Sequence, residues 1–312
     1  MDILTEALSS MRTGRPTSVR TEGRAPWALR LSPAAGAGFH IVLSGTCWLI
    51  PLDGAPVAEP IPLGPGDVIF LRDGTGCILA DHPSTPAEDV ERPVRRQDSW
   101  PIGTATVGGD GPRTSLLCGH YQLDRTRPHP LIGRLPDLVH LPARPGRHRE
   151  LRAAVELLGA ELENPRIGSA GIVPALVDSL LLYILRAWLD DQASTATPGW
   201  AAAFEDPAVA PALNAIHEDP AHPWTVEALA GRAGLSRAAF ARRFAALIGE
   251  PPMAYLTRWR LTTAAKLLRE SEAPLGAVAA RTGYGSEYAF AKAFKREYGQ
   301  APGGYRREAR AA

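Results

Sequence analysis

The sequence predicts an α+β, multidomain chain: a strand-rich N-terminal half, a pair of helices, and an all-helical C-terminal domain. Three observations carry this. Residues 24–125 hold short runs of Val, Ile and Leu between Gly- and Pro-containing turns, the pattern of a sandwich or barrel. Residues 147–191 switch to apolar residues at helical spacing. After residue 224 one pattern, a helix, a glycine turn, a serine and two phenylalanines one helical turn apart, occurs twice.

The length, 312 residues, fits about two domains. The N-terminus, MDILTEALSSMRTGRP, lacks a basic start followed by an apolar block, so it does not read as a secretory signal. Three cysteines are too few for a disulfide framework, and a reducing cytoplasm fits. The net charge of +1 hides an asymmetry: from residue 205 onward there are 15 Lys/Arg against 11 Asp/Glu, and before it 19 against 22. A mildly basic C-terminal third is compatible with nucleic-acid binding by one domain.

The strand signals are FHIVLSGTCWLIPLDG, DVIFLRDGTGCILAD and RTSLLCGHYQLD. Residues 83–113, polar and rich in Pro and Gly, read as a long loop. The first helix, GRHRELRAAVELLGAELEN, carries Leu151, Val155 and Leu158 on one face. The second, GIVPALVDSLLLYILRAWLDD, is apolar on more than one face, which places it in a core or at a partner interface. Pro174, Asp178 and Arg186 interrupt its apolar run, so no run approaches the ~20 residues of a membrane span. DDQASTATPGW then reads as a flexible linker.

The repeat sets TVEALAGRAGLSRAAFARRF against LGAVAARTGYGSEYAFAKAF. Each copy has a helix, a glycine (Gly234, Gly283), an apolar residue (Leu235, Tyr284) and a serine N-cap (Ser236, Ser286). Phe240 and Phe244 correspond to Phe290 and Phe294, and the second turn holds one extra residue. Glycine at the turn and serine at the second helix start are what a helix-turn-helix needs. Trp224 is placed to staple onto Leu229. Between the copies, residues 252–270 as a helix span roughly 28 Å at 1.5 Å per residue. Successive major-groove faces lie ~34 Å apart, so such a rod can hold two recognition helices in adjacent grooves. The aromatic face then anchors each recognition helix, and the basic face meets DNA.

The outward positions of the first recognition helix are Ala238, Ala241 and Arg242, with Ser236 and Arg237 at its start. Arg242 is the candidate for a bidentate contact to guanine, and the two alanines can touch only a thymine methyl. In the second they are Glu287, Tyr288, Ala291 and Lys292, after Ser286. Glu287 suits either a cytosine N4 or the positive end of the helix dipole. Lys295, Arg296, Arg306 and Arg307 read as phosphate contacts or solvated charges. Tyr255 and Trp259 fall in helical register with Leu256 and Leu267 and read as core.

These residues carry a resemblance. LAGRAGLSRAAFARRFAALIGEPPMAYLTRWRLTTAAKLL and VAARTGYGSEYAFAKAFKREYGQAPGGYRR resemble the DNA-binding domain of the AraC/XylS family of bacterial transcription regulators. GPGDVIFLRDGTGCILAD more loosely resembles the second motif of the cupin barrel, Gly-x5-Pro-x-Gly-x2-His-x3-Asn. Gly66 and Gly74 match, while Arg72, Cys77 and Asp81 stand at the motif's proline, histidine and asparagine. FHIVLSGTCWLI, turning at Gly45, resembles the end of the first motif. The resemblance implies a sequence-specific regulator: a cupin-like barrel over 1–140, a helical dimerisation segment over 141–192, a linker over 193–209, and a double helix-turn-helix over 210–312.

Its implied partners are double-stranded DNA, a second copy of the chain, a small-molecule effector, and RNA polymerase if it activates; no membrane is expected. His40, Cys77, Cys118 and His120 are candidate effector or metal residues, a soft S/N set suited to zinc or another thiophilic metal. The cysteines also read as small buried hydrophobes beside two incidental histidines, or Cys77 as a redox sensor. A metal-dependent cupin enzyme fused to a DNA-binding domain is the alternative. Against it stand the lost histidine and the absence of a hydrolase triad signature, a P-loop or a dinucleotide glycine pattern.

Overall fold

The computed structural model describes residues 3–12, 14–33, 36–52, 59–72, 76–89, 103–123, 129–133, 135–193 and 200–311. They form two compact units that interleave along the chain: Arg12–Arg125 with Arg134–Trp188, and Met1–Met11 with Thr126–Gly133 and Leu189–Ala312.

Helix α1 (Ile3–Met11) opens the chain. The strands follow as β1 (Thr17–Arg24), β2 (Ala28–Leu31), β3 (Ala37–Ser44), β4 (Cys47–Pro51), β5 (Ile61–Leu63), β6 (Val68–Leu71), β7 (Cys77–Ala80), β8 (Glu88–Asp89), β9 (Thr104–Gly108), β10 (Arg113–Tyr121) and β11 (Leu138–Leu141). Among the described residues they build a six-stranded sheet, β11-β6-β3-β10-β1-β9, and a five-stranded sheet, β5-β4-β7-β2-β8. The fold is thus two sheets rather than one closed barrel. Val42, Ile69, Leu71 and Leu116 of the first pack with Cys47, Leu49, Leu63, Cys77 and Leu79 of the second in one apolar cluster. β3 lies between β6 and β10, and residues 37–42 are buried on both faces, which is why its apolar run shows no in–out alternation. The loop expected over 83–113 contains β8 and β9, and β9 pairs in parallel with β1; residues 90–102 and Gly74 lie outside the described residues.

Two helices complete this unit, α3 (Arg149–Glu163) and α4 (Ser169–Ala193) as far as Trp188; the short α2 (Pro130–Gly133) lies between β10 and β11 in the chain. α3 buries Leu151, Val155 and Leu158, as its spacing predicts, and Arg20 of β1 pairs with its Glu163 at 2.9 Å. By length and composition α4 would suffice to span a membrane. Here Val173, Val177, Leu180, Leu181, Ile184 and Leu185 are buried, and the Tyr121 hydroxyl donates to the Val177 carbonyl at 2.5 Å. One face of α4 is thus packed and the other is open.

The second unit is helical: α5 (Trp200–Glu205), α6 (Val209–Glu218), α7 (Val226–Arg232), α8 (Arg237–Ile248), α9 (Pro252–Glu270), α10 (Leu275–Arg281), α11 (Glu287–Tyr298) and α12 (Pro302–Ala311), joined by α1 and α2. The linker expected over 193–209 is therefore partly helical, and residues 194–199 of it lie outside the described residues. Trp200 explains the difference. Its ring packs 5.6 Å from His129 and 5.9 Å from Tyr255, a long-range burial that the polar residues before it conceal.

Candidate nucleic-acid interface

The two repeats fold alike. Thr225 caps α7 by accepting from Ala228 N–H at 3.1 Å. The chain then turns at Gly234, φ +63°, and Leu235 N–H reaches back to the Ala230 carbonyl at 3.0 Å. Ser236 accepts from Ala239 N–H at 3.3 Å and starts α8. In the second copy Gly283 turns with φ +76°, Tyr284 N–H bonds the Ala279 carbonyl at 2.9 Å, and Ser286 accepts from Ala289 N–H at 3.1 Å. These local bonds satisfy the orphan groups at each helix end.

The phenylalanines do what their spacing predicts. Phe240 and Phe244 are fully buried, as are Phe290 and Phe294. Leu261, Ala264, Ala265 and Leu268 of α9 and Val278 and Ala279 of α10 complete the core around the second pair. Tyr255 and Trp259 are buried too. Asp206 fastens the first copy. Its Oδ1 accepts from Ala208 and Val209 N–H, both at 2.9 Å, and Oδ2 pairs with Arg243 of α8 at 2.6 Å. Burial raises its pKa, but Arg243 and the two N–H groups outweigh that and hold it below the ordinary carboxylate value.

Opposite the aromatic faces, Ser236, Arg237, Ala238 and Arg242 are exposed and Ala241 half-buried. On α11, Ser286, Glu287, Tyr288, Lys292, Lys295 and Arg296 are exposed and Ala291 is half-buried; Tyr288 presents 79% of its surface. Arg237 pairs with Glu227 at 3.0 Å, with side chains 70% and 60% exposed, so a phosphate can compete for it. Arg306 instead donates to the Ala273 carbonyl at 2.5 Å, which gives it a structural duty; Arg307 is exposed. The spacer α9 runs unbroken over its 19 residues.

Sequence reasoning missed Arg260. Its Nε and Nη2 donate to the carbonyls of Pro220 and His222, both at 2.7 Å, ahead of the first repeat. The same guanidinium lies against the turn of the second: a Cβ on Gly283 would come within 2.8 Å of it, whereas one on Gly234 meets nothing within 4 Å. Burial lowers the Arg260 pKa, with Tyr284 and Asp219 opposing. Gly234→Ala should therefore cost only the left-handed backbone penalty, about 1–2 kcal/mol. Gly283→Ala should cost more, because Arg260 must also move; urea midpoints of the two variants check the order.

In the strand unit, the sequence candidates are partly assembled. His40 Nε2 lies 4.0 Å from Cys77 Sγ, and Cys118 stands directly across from His40 in the sheet. His120, across from Gly38, lies two residues further along β10. Among the described residues no group of three or more His, Cys, Asp or Glu side chains could hold a metal ion. The residues at the cupin motif's proline and asparagine positions have other duties here. Arg72 donates to the Leu135 carbonyl at 2.8 Å and pairs with Asp137, while Asp81 accepts from Trp27 N–H at 3.2 Å and Thr85 Oγ1 at 2.8 Å. Burial, helped by Cys118 and Asp67, pushes the Cys47 thiol up to about 12, so Cys47 is no thiolate nucleophile.

A family model described as a cupin matches residues 2–190, and one described as a helix-turn-helix domain matches 229–308. A Streptomyces lividans protein named as an AraC-like transcription regulator is 36% identical, over 98% of this chain and 98% of its own. The HTH-type transcriptional regulator MtrA of Neisseria gonorrhoeae is 30% identical over 99% of each. A crystal structure of the DNA-binding domain of AdpA with a target DNA is 36% identical, covering 34% of this chain and 95% of that one, with a TM-score of 0.32.

Proposed function

This chain belongs to the AraC-like family of transcription regulators, and from that premise we propose that it places α8 and α11 in consecutive major grooves on one side of a duplex. The observation that carries this is the pair of similarly capped helices with exposed polar faces, flanking a continuous spacer. Arg242 reads a base edge, Tyr288, Ala238, Ala241 and Ala291 make apolar or shape contacts, and Lys292, Lys295, Arg296 and Arg237 neutralise phosphates. Glu287 sits in the first turn of α11, where its charge opposes the helix dipole.

The strand unit senses a small organic effector in this reading, with His40, Cys77, Cys118 and His120 lining its polar side. Two copies pair through α3 and α4. Leu157, Ile167 and Ile172 support this: they are 60%, 106% and 44% exposed, and the two isoleucines line a groove with Glu161, Pro165 and Arg166. We place the protein in the cytoplasm, acting on DNA and on RNA polymerase where it activates, and without catalytic activity of its own; the S. lividans and N. gonorrhoeae relatives are named as regulators.

Selection of bound sequences from a random pool tests the groove assignment. A site spanning two successive major grooves, preferred over bulk DNA by at least ~10³-fold, supports it. Arg242→Ala should cost about 1–3 kcal/mol and relax preference at one position. Uniform weakening on every sequence would move Arg242 to the phosphate class.

A further inference from the structure

The DNA-binding reading leaves one buried polar cluster of the helical unit without a task. Glu6 of α1, His129 at the start of α2, His217 of α6 and Tyr255 of α9 meet there, from four separate stretches of chain. His217 Nδ1 lies 3.0 Å from Glu6 Oε2, and its Nε2 lies 2.6 Å from the Tyr255 hydroxyl. That hydroxyl is 3.3 Å from His129 Nε2, and Leu131 N–H donates to His129 Nδ1 at 3.3 Å. His129, His217 and Tyr255 are each at least 97% buried.

One arrangement of protons satisfies every link. Leu131 N–H can only donate, so His129 Nδ1 is bare and Nε2 carries the proton. That N–H donates to the Tyr255 oxygen, whose own O–H must then donate to His217 Nε2. The remaining His217 proton sits on Nδ1 and donates to the Glu6 carboxylate. Both imidazoles are neutral. A further proton on His129 would oppose the Leu131 N–H, and one on His217 would oppose the Tyr255 O–H. The hydroxyl cannot turn away without meeting the His129 N–H.

The surroundings add little that would welcome a proton. Glu6 of α1 is the acid in contact, and Arg258 of α9 brings positive charge. Trp259 of α9 stacks on His217 at 4.0 Å, Trp200 of α5 lies 5.6 Å from His129, and Phe244 of α8 lies 5.7 Å from Tyr255. Burial lowers the His129 pKa well below 6.5, with His217 and Arg258 acting in the same direction. It also lowers that of His217, with Glu6 partly opposing. Released histidines therefore bind protons that the packed ones refuse. The stabilisation is complete above about pH 6.5 and declines as the pH falls below it toward the packed values.

The cluster holds segments remote in sequence from the rest of the unit. α1 reaches α9 through Lys266 Nζ, which donates to Ser9 Oγ at 2.9 Å, and through Arg269, which donates to the Ser10 carbonyl at 2.5 Å. Met11 Sδ accepts the His129 N–H at 3.0 Å. We propose that Glu6, His217, Tyr255 and His129 form an acid-labile latch, which locks α1 and residues 129–133 onto the spacer helix at neutral pH and frees α1 when the imidazoles take up protons. The spacer joins the two helix-turn-helix units, so the latch bears on the element that sets their separation.

Amide hydrogen exchange on the full chain without DNA, at pH 7.5 and 5.5 and corrected for intrinsic exchange rates, reads the latch independently of any DNA-binding result. Protection of residues 3–11 should fall at least about tenfold between the two pH values, while β3 and α11 keep theirs. A double variant, His129→Gln with His217→Gln, keeps a donor and an acceptor at each site but cannot titrate, and its α1 protection should be nearly level across the interval. Unchanged wild-type protection, or an undiminished pH response in the double variant, overturns the proposal. If the double variant fails to fold, as judged by lost protection in α8 and α11, His217→Gln alone decides. It should hold α1 several-fold better than wild type at pH 5.5, and equal loss overturns the latch.

Discussion

Phe294→Ala should lower the stability of the second helix-turn-helix by about 3–5 kcal/mol, the cost of emptying a buried aromatic site. Phe294 is fully buried. Its ring lies 5.6 Å from Phe290, stacks on Tyr298 at 4.5 Å and meets Tyr305 edge-on at 5.4 Å. Removing it leaves those three rings without a common partner, and the backbones of α9 and α10 cannot close the gap cheaply. Amide exchange of α11 and α12 in the full chain measures the loss. Protection there should fall by about two to three and a half orders of magnitude, at about 1.4 kcal/mol per factor of ten, while the strand unit is unchanged. A loss below tenfold would mean that the site collapses around the missing ring. On the same basis DNA affinity should drop to that of the first unit alone.

Arg260→Ala should separate what the two repeats do together from what each does alone. Each bond from the guanidinium to the Pro220 and His222 carbonyls contributes about 1.5–3 kcal/mol, as for charged donors generally, and the fork also packs against the Gly283 turn. Without it the entry to the first repeat and the turn of the second lose their shared support. Affinity for a selected two-groove site should fall at least tenfold, while affinity for either half-site stays within twofold. Arg260→Lys should not restore it, because a point charge cannot reach two carbonyls in the fork geometry. Equal losses on full and half sites would show that Arg260 serves only stability.

Much of the helical domain is legible in the sequence, because its signals are local. Ser236 and Ser286 bond amides three residues ahead, Gly234 and Gly283 adopt the backbone that glycine permits, and Phe240/Phe244 and Phe290/Phe294 repeat at one helical turn. α9 begins and ends where its pattern does. The strand unit was half legible. Its apolar runs mark β3, β4, β6, β7 and β10, but whether the strands close into one barrel or stack as two sheets depends on pairings such as β1 with β10, which no short window contains. The helix at Trp200–Glu205 was hidden for the same reason, since its tryptophan packs on residues 129 and 255.

The amino-acid sequence by itself determined the duplicated helix-turn-helix, its caps, its aromatic anchors and its outward polar faces, since each depends on residues within about one helical turn of each other. Only the tertiary structure decided that Arg260 binds the approach to one repeat and lies against the turn of the other, that His40 and Cys77 touch, and that Glu6, His129, His217 and Tyr255 meet in one hydrogen-bonded chain. Those contacts join residues 23 to 211 positions apart. Their energy comes from burial and hydrogen bonds that exist only once the chain has closed the intervening loops, and no local propensity records them.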